Sequence, residues 1–294
     1  MRSFNEISDY MEKNGLDLVD SIISMETVKL DCTKEEVIRN MNNRLSDMKR
    51  SIREAAVNEW TPKIVPNDSL KMKKYLKKKD SLSGQIISKS SEIALLVSTF
   101  NASMGRIVAA PTAGSCGILP GILFSWEEHR QHKKEDLLEG LIIAAAVGQI
   151  IAERATLAGS EGGCQAECGA AAAMGAAALV WMECKKAEPC FQAVAICLKS
   201  IMGLVCDPVA GLVEVPCIKR NGSLVSIAVL SADMAMSGIQ STIPPDEVID
   251  AMSMVGKAMH PSLKETGRGG VAVTKTGVNI AKNLLKNAPH LESK

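Results

Sequence analysis

Aromatic side chains are scarce in this chain: 4 Phe, 3 Trp and 2 Tyr, together 3% of 294 residues. That leaves too little material for an aromatic-rich sandwich core. Histidine is rarer still, with 4 copies at His129, His132, His260 and His290. Excess charge is missing as well, because 34 Lys+Arg against 33 Asp+Glu give a net charge of +1. Nothing global therefore attracts nucleic acid or an acidic membrane surface. Long hydrophobic runs are absent. The longest, Leu141–Ala152 and Ala170–Met182, are bounded by Glu139 and Glu153 and by Glu167 and Glu183. Both fall short of the ~20 apolar residues that cross a bilayer, and they read as buried core helices. The first residues, Met1-Arg2-Ser3-Phe4-Asn5-Glu6, are polar rather than signal-peptide-like, so a cytoplasmic location is expected. Period-two, β-branched segments with hairpin turns are also lacking, which argues against a sheet.

Small residues are abundant instead, and they let helices approach closely. The expected fold is all-α, a compact multi-helix catalytic domain built on small-residue helices. Apolar periodicity and turn residues place helices at about 84–105, 118–130, 136–154, 165–184, 189–204, 223–241, 245–258 and 274–286. The first 80 residues differ in character. Thr33-Lys34-Glu35-Glu36 has the form of a capping box, and Val37, Met41, Leu45, Met48 and Ile52 then share one helical face. Pro62 and Pro66 end that pattern. The natural division is an N-terminal helical segment, 1–80, and a helical catalytic domain, 81–294. The basic run Lys71, Lys73, Lys74, Lys77, Lys78 and Lys79 has only Tyr75 among it, so it reads as a solvated face rather than a nucleic-acid site.

Nine cysteines, an odd number in a long chain, argue against a disulfide scaffold and for reduced, metal-binding thiols. Three sit in distinctive settings. Gly159-Ser160-Glu161-Gly162-Gly163-Cys164 puts a thiol after a glycine-rich turn, at the start of a helix near Gln165. A helix N-terminus stabilises a thiolate, and glycine lets backbone approach a bulky cofactor. An ordinary helix start with a buried cysteine has the same look. Cys206 and Cys217 are eleven positions apart, each beside a proline, Pro208 and Pro216. The apolar stretch 209–215 between them is expected to run through the interior. The spacing is not the C-x₂-C of a zinc site, so zinc, cluster and structural thiols all stay open. Cys168, four residues after Cys164, is an alternative donor on the same face. Cys32, Cys184, Cys190 and Cys197 lack turn punctuation or lie apart, and read as structural.

A second constellation is Ala109-Ala110-Pro111-Thr112-Ala113-Gly114-Ser115-Cys116-Gly117. Thr112, Ala113, Gly114 and Ser115 at a helix N-terminus make a carboxylate cradle, because N–H groups there have no intrahelical partner. A plain capped turn is the competing reading. Thr266-Gly267-Arg268-Gly269-Gly270 offers a guanidinium suited to bidentate carboxylate binding, or simply a solvated Arg268. Among the histidines only His260, before Pro261, is placed to approach a site. The chain shows no obvious general base of its own.

Together these segments resemble the alpha subunit of the two-chain bacterial iron–sulfur-dependent L-serine dehydratases (L-serine ammonia-lyases). The likeness runs from about Ser83 to Gly277. It is carried by the blocks 111–117 and 162–167, by the long block 204–221, and by Glu265-Thr266-Gly267-Arg268-Gly269-Gly270. The resemblance implies a [4Fe–4S] cluster on Cys164, Cys206 and Cys217, with one iron left free to take the serine hydroxyl. It implies β-elimination of water from L-serine to give pyruvate and ammonia, with the carboxylate held by Thr112–Ser115 and Arg268. It also implies a beta subunit bearing a Ser-Ser-Ser-His-Thr motif that this chain lacks, hence a hetero-oligomer whose base comes from the partner. Some single-chain members end in a cysteine tail; this chain ends Pro289-His290-Leu291-Glu292-Ser293-Lys294. Where the family commonly reads Asn-Ala-Ser-Ile-Ser-Gly, this chain has Arg154-Ala155-Thr156-Leu157-Ala158-Gly159, so Arg154 bears either on substrate contacts or on the outer shell. Rival readings are L-cysteine desulfidation on the same scaffold, a pyridoxal-phosphate dehydratase using Lys89, and a non-catalytic zinc- or cluster-binding helical module.

Overall fold

The computed structural model describes residues 1–78, 80–130 and 134–286; Lys79, His132, His290 and the last residues lie outside it. Capping sets the first helices. Helix α1 (Phe4–Asn14) starts at Ser3, whose side chain accepts the Glu6 N–H, and ends at Gly15 in the left-handed region. Asp17 caps α2 (Leu18–Leu30) in the same way. The capping box of Thr33 and Glu36 opens α3 (Lys34–Val57), which buries Leu45 and Met48 as its periodicity requires. Past the proline break, α4 (Asp68–Leu76) leaves Lys71, Lys73 and Lys74 exposed to solvent.

The remaining helices are α5 (Gly84–Ala102), α6 (Ile118–Arg130), α7 (Lys134–Arg154), the single turn α8 (Gly159–Gly162), α9 (Ala170–Cys184), α10 (Ala187–Ile201), α11 (Cys217–Met236), α12 (Pro245–Ala258) and α13 (Lys275–Lys286). There is no strand among the described residues, so the fold is all-α as the sequence suggests. Two elements differ from expectation by more than three residues. Helix α11 begins at Cys217 rather than 223, because Pro216 O accepts the Arg220 N–H and Glu214 O the Ile218 N–H. The expected helix over 165–184 is a π-type turn, Gln165–Gly169, running into α9.

Helix α9 is the axis of the core. From Ala170 to Met182 every residue is buried, and α6, α7, α10 and α11 pack around it. Its alanines are what allow so many neighbours so close. Residues 1–80 feed the same core: Phe4, Ile7, Leu18, Ile22, Leu45 and Met48 belong to one buried cluster with the helices that follow. Phe4 packs against Phe191 of α10 with rings tilted at 56° and centroids 4.9 Å apart, and Asp246 of α12 accepts the Phe4 and Asn5 N–H groups. No helix among the described residues is long and apolar enough to cross a membrane.

Candidate functional site

The segment bearing Cys164 is zipped to the segment leading to Cys206. Gly163 has φ +77°, and a Cβ there would lie 2.8 Å from Leu204 O. Gln165 closes the contact: its N–H donates to Leu204 O at 3.0 Å, its Oε1 accepts from Gly203 N–H at 2.8 Å, and its Nε2 donates to Met252 O at 3.1 Å. Cys206 is fixed from the other side, donating to Leu263 O at 2.8 Å and accepting from Glu265 N–H at 2.7 Å. Cys217 opens α11 directly after Pro216. The three thiols are buried, at 2%, 4% and 8% exposure for Cys164, Cys206 and Cys217.

These thiols lie close enough to govern one another's ionisation. Burial first, then the charge of Cys164, pushes the Cys217 thiol up to about 12. Burial and the neighbouring Cys164, Glu167 and Cys217 charges raise Cys206 as well. Cys164 goes the other way, lowered by a hydrogen bond from Cys168 and by the Arg220 cation. Cys168, read from the sequence as an alternative donor, is thus a fourth buried thiol at the site, its pKa raised by its interaction with Cys164 and by burial.

The cradle stands beside them. Thr112 and Ser115 bond each other's polar groups around a 3-10 turn, Ala113–Ser115, whose first N–H groups have no partner inside the turn. Thr112 Oγ1 donates to Glu167 Oε1 at 2.9 Å, while Glu167 Oε2 lies 3.9 Å from Cys206 Sγ. Glu167 therefore joins cradle to thiols, and burial raises its carboxyl pKa. It fits because a Cβ on Gly159 would run into both Glu167 and Cys206. Asn221 ties the cradle to α11, donating to Gly114 O at 2.7 Å and to Cys217 O at 3.0 Å.

Other expected residues lie outside this cluster. The Arg268 loop is pinned through Val271 N–H to Asp207 Oδ2 at 2.8 Å, but the Arg268 side chain is exposed. His260 is exposed and caps the turn Pro261–Leu263, and His129 bonds Ser125 O. Arg154 is paired with Asp250 at 2.6 Å and faces Asp246 of α12, so its charge is spent in the outer shell. The stretch 209–215 does not run through the interior: Ala210, Gly211 and Val213 are exposed. Its buried members are Val209 and Glu214, and the Glu214 carboxylate accepts the N–H groups of Lys63, Ile64 and Val65 at 2.9, 2.7 and 3.1 Å. Sequence reading assigned no role to Glu167, Asp207, Arg220 or Asn221. Charged residues inside apolar blocks were the available signal, because a buried charge requires a partner.

The donor set is soft, and thiolates of this kind suit zinc or iron–sulfur clusters. Among the described residues no three His, Cys, Asp or Glu side chains meet at one point as a single ion would need. Cys164, Cys206 and Cys217, buried on three segments, are donors of the type that hold an iron–sulfur cluster.

Known proteins are similar to this chain along nearly its whole length. The family model described as serine dehydratase alpha chain matches residues 13–272. A probable L-serine dehydratase alpha chain of Bacillus subtilis is 41% identical over 289 residues, covering 98% of this chain and 96% of that one. The L-serine dehydratase alpha chain of Peptoniphilus asaccharolyticus is 39% identical over 290 residues, covering 97% and 99%. The Escherichia coli L-serine dehydratase TdcG is 36% identical over 217 residues, 72% of this chain and 48% of that longer protein. This chain belongs to the serine dehydratase alpha chain family.

Proposed function

We propose that this chain is the alpha chain of a two-chain L-serine dehydratase that converts L-serine to pyruvate and ammonia in the cytoplasm. In this reading Cys164, Cys206 and Cys217 hold a [4Fe–4S] cluster. The observation that carries it is the junction made by Glu167, which links the Thr112–Ser115 turn to the buried thiol cluster. Residues 81–294 supply the site, and residues 1–80 form a helical segment that buttresses it.

A cluster with three protein ligands supplies, when bound, a Lewis-acidic iron for the hydroxyl that must leave. The chain's own residues do the rest of the binding. The N–H groups of the Thr112–Ser115 turn hold the substrate carboxylate, and Arg268 on its pinned loop adds a cation at the rim. Glu167, already bonded to Thr112, offers a carboxylate to the ammonium group of the same amino acid. Neither described histidine bonds to a residue of the site, so the proton on Cα goes to a base from the beta chain, the histidine of its Ser-Ser-Ser-His-Thr motif.

The test is anaerobic assay of pyruvate release from L-serine by the chain alone, by a matching beta chain alone, and by the two together. Turnover is expected only from the pair, without pyridoxal phosphate and without an adduct trapped by borohydride. Full activity of the isolated chain contradicts the two-chain reading. Faster release of sulfide from L-cysteine than of pyruvate from L-serine would reassign the substrate, and a loaded pair inert to both would leave a binding module.

A further inference from the structure

One side chain reaches all three cysteine-bearing segments. Arg220 lies three residues after Cys217 on α11, and its side chain is only 16% exposed. Its Nη1 donates to Val205 O at 2.7 Å and its Nη2 to Asp207 Oδ1 at 2.8 Å. Those two acceptors flank Cys206 on either side. The guanidinium cation also acts electrostatically on the buried Cys164 thiol, whose pKa it helps to lower. Asp207 is itself 3% exposed, and its second oxygen accepts the Val271 N–H at 2.8 Å, so the anchor cannot swing away.

We infer that Arg220 is a positioning residue that holds the segments of Cys164, Cys206 and Cys217 in the register a shared cluster needs. The inference rests on the cluster reading above and adds the device that keeps its ligands together. Arginine suits the task because a planar guanidinium presents five N–H donors in a rigid fork. It can grip two acceptors on one segment and still face a third group on another. Lysine keeps the charge but offers donors from a single point on a flexible stem, so it cannot span the same acceptors. Groups that orient metal ligands from behind typically matter by about 10- to 100-fold in metal affinity.

The experiment uses the full chain, loaded anaerobically with ferrous iron, sulfide and reductant, as wild type, Arg220→Lys, Arg220→Met and the surface control Lys219→Ala. Lys219 is a suitable control because its ammonium pairs with Asp68 of α4, away from the thiols. Helix content by circular dichroism, the visible and electron paramagnetic resonance spectra, and the rate of iron loss to a chelator are read for each. Arg220→Lys is expected to keep the helical signal, shift the cluster spectrum and lose iron about 10-fold faster or more, while Lys219→Ala matches wild type. If Arg220→Met does not fold, Arg220→Lys alone decides. Arginine variants that load, look and release iron as wild type does overturn the inference and leave the cluster reading standing. A wild-type chain that takes up no iron and sulfide overturns the cluster reading, and this inference with it.

Discussion

Asn221 is completely buried, and both ends of its amide are satisfied by backbone. Its Oδ1 accepts from Gly117 N–H at 2.9 Å, while its Nδ2 donates to Gly114 O and Cys217 O. One side chain thus ties the cradle turn to the first turn of α11. Asn221→Leu removes these bonds and strands Gly117 N–H in a dry interior, at a cost of about 1–3 kcal/mol. Urea unfolding of the cluster-free chain should show that loss as a lower midpoint, and an unchanged midpoint would contradict it. In the sequence, Asn221-Gly222-Ser223 looks like a turn, because asparagine, glycine and serine are all weak helix formers. Only the tertiary bonds of Asn221 reveal its place inside a helix. The cysteines were easier to find, since glycine and proline mark the turns around them. Their partners Asp207 and Arg220 sit in the same blocks, but pairing across the fold is not written in local spacing.

Helices α5 and α6 touch through glycine. A Cβ on Gly117 would collide with Ala94 O and lie 2.6 Å from Ser98 Oγ, and one on Gly121 would lie 2.6 Å from Ser90 O. Backbone, unlike a side-chain tip, cannot turn aside, so Gly121→Ala must push the helices apart. Overpacking of this kind costs about 1–3 kcal/mol, and the shift acts on the cradle that precedes α6. Thermal unfolding should show Gly121→Ala clearly less stable than wild type, while Gly238→Ala, with open space around it but a left-handed backbone, is strained locally without moving any helix. Wild-type stability for Gly121→Ala would contradict the close contact. The scarcity of aromatics and the wealth of small residues made this style of packing legible in advance. The start of α11 and the π-type turn at Gln165–Gly169 were not legible, because each is set by bonds to distant segments such as Leu204.

At the scale of the molecule, a single buried cluster unites the first helices with the rest, and the site lies where four separated segments meet. The capping box and the apolar face of α3 were readable from the sequence, whereas the docking of residues 63–65 onto Glu214 was not, since the acceptor lies about 150 positions away. That contact joins the N-terminal segment to the loop between Cys206 and Cys217. The proposed function rests on three thiols from three segments serving one cluster. The most direct measurement is iron and sulfide content, with the visible absorption spectrum, of anaerobically prepared wild type and of Cys164→Ala, Cys206→Ala, Cys217→Ala and Cys184→Ala. Equal iron and sulfide and a visible charge-transfer band are expected in wild type and Cys184→Ala, with both lost from each of the other three. A chain that keeps its cluster after Cys206→Ala, or loses it after Cys184→Ala, would rule out this ligand set.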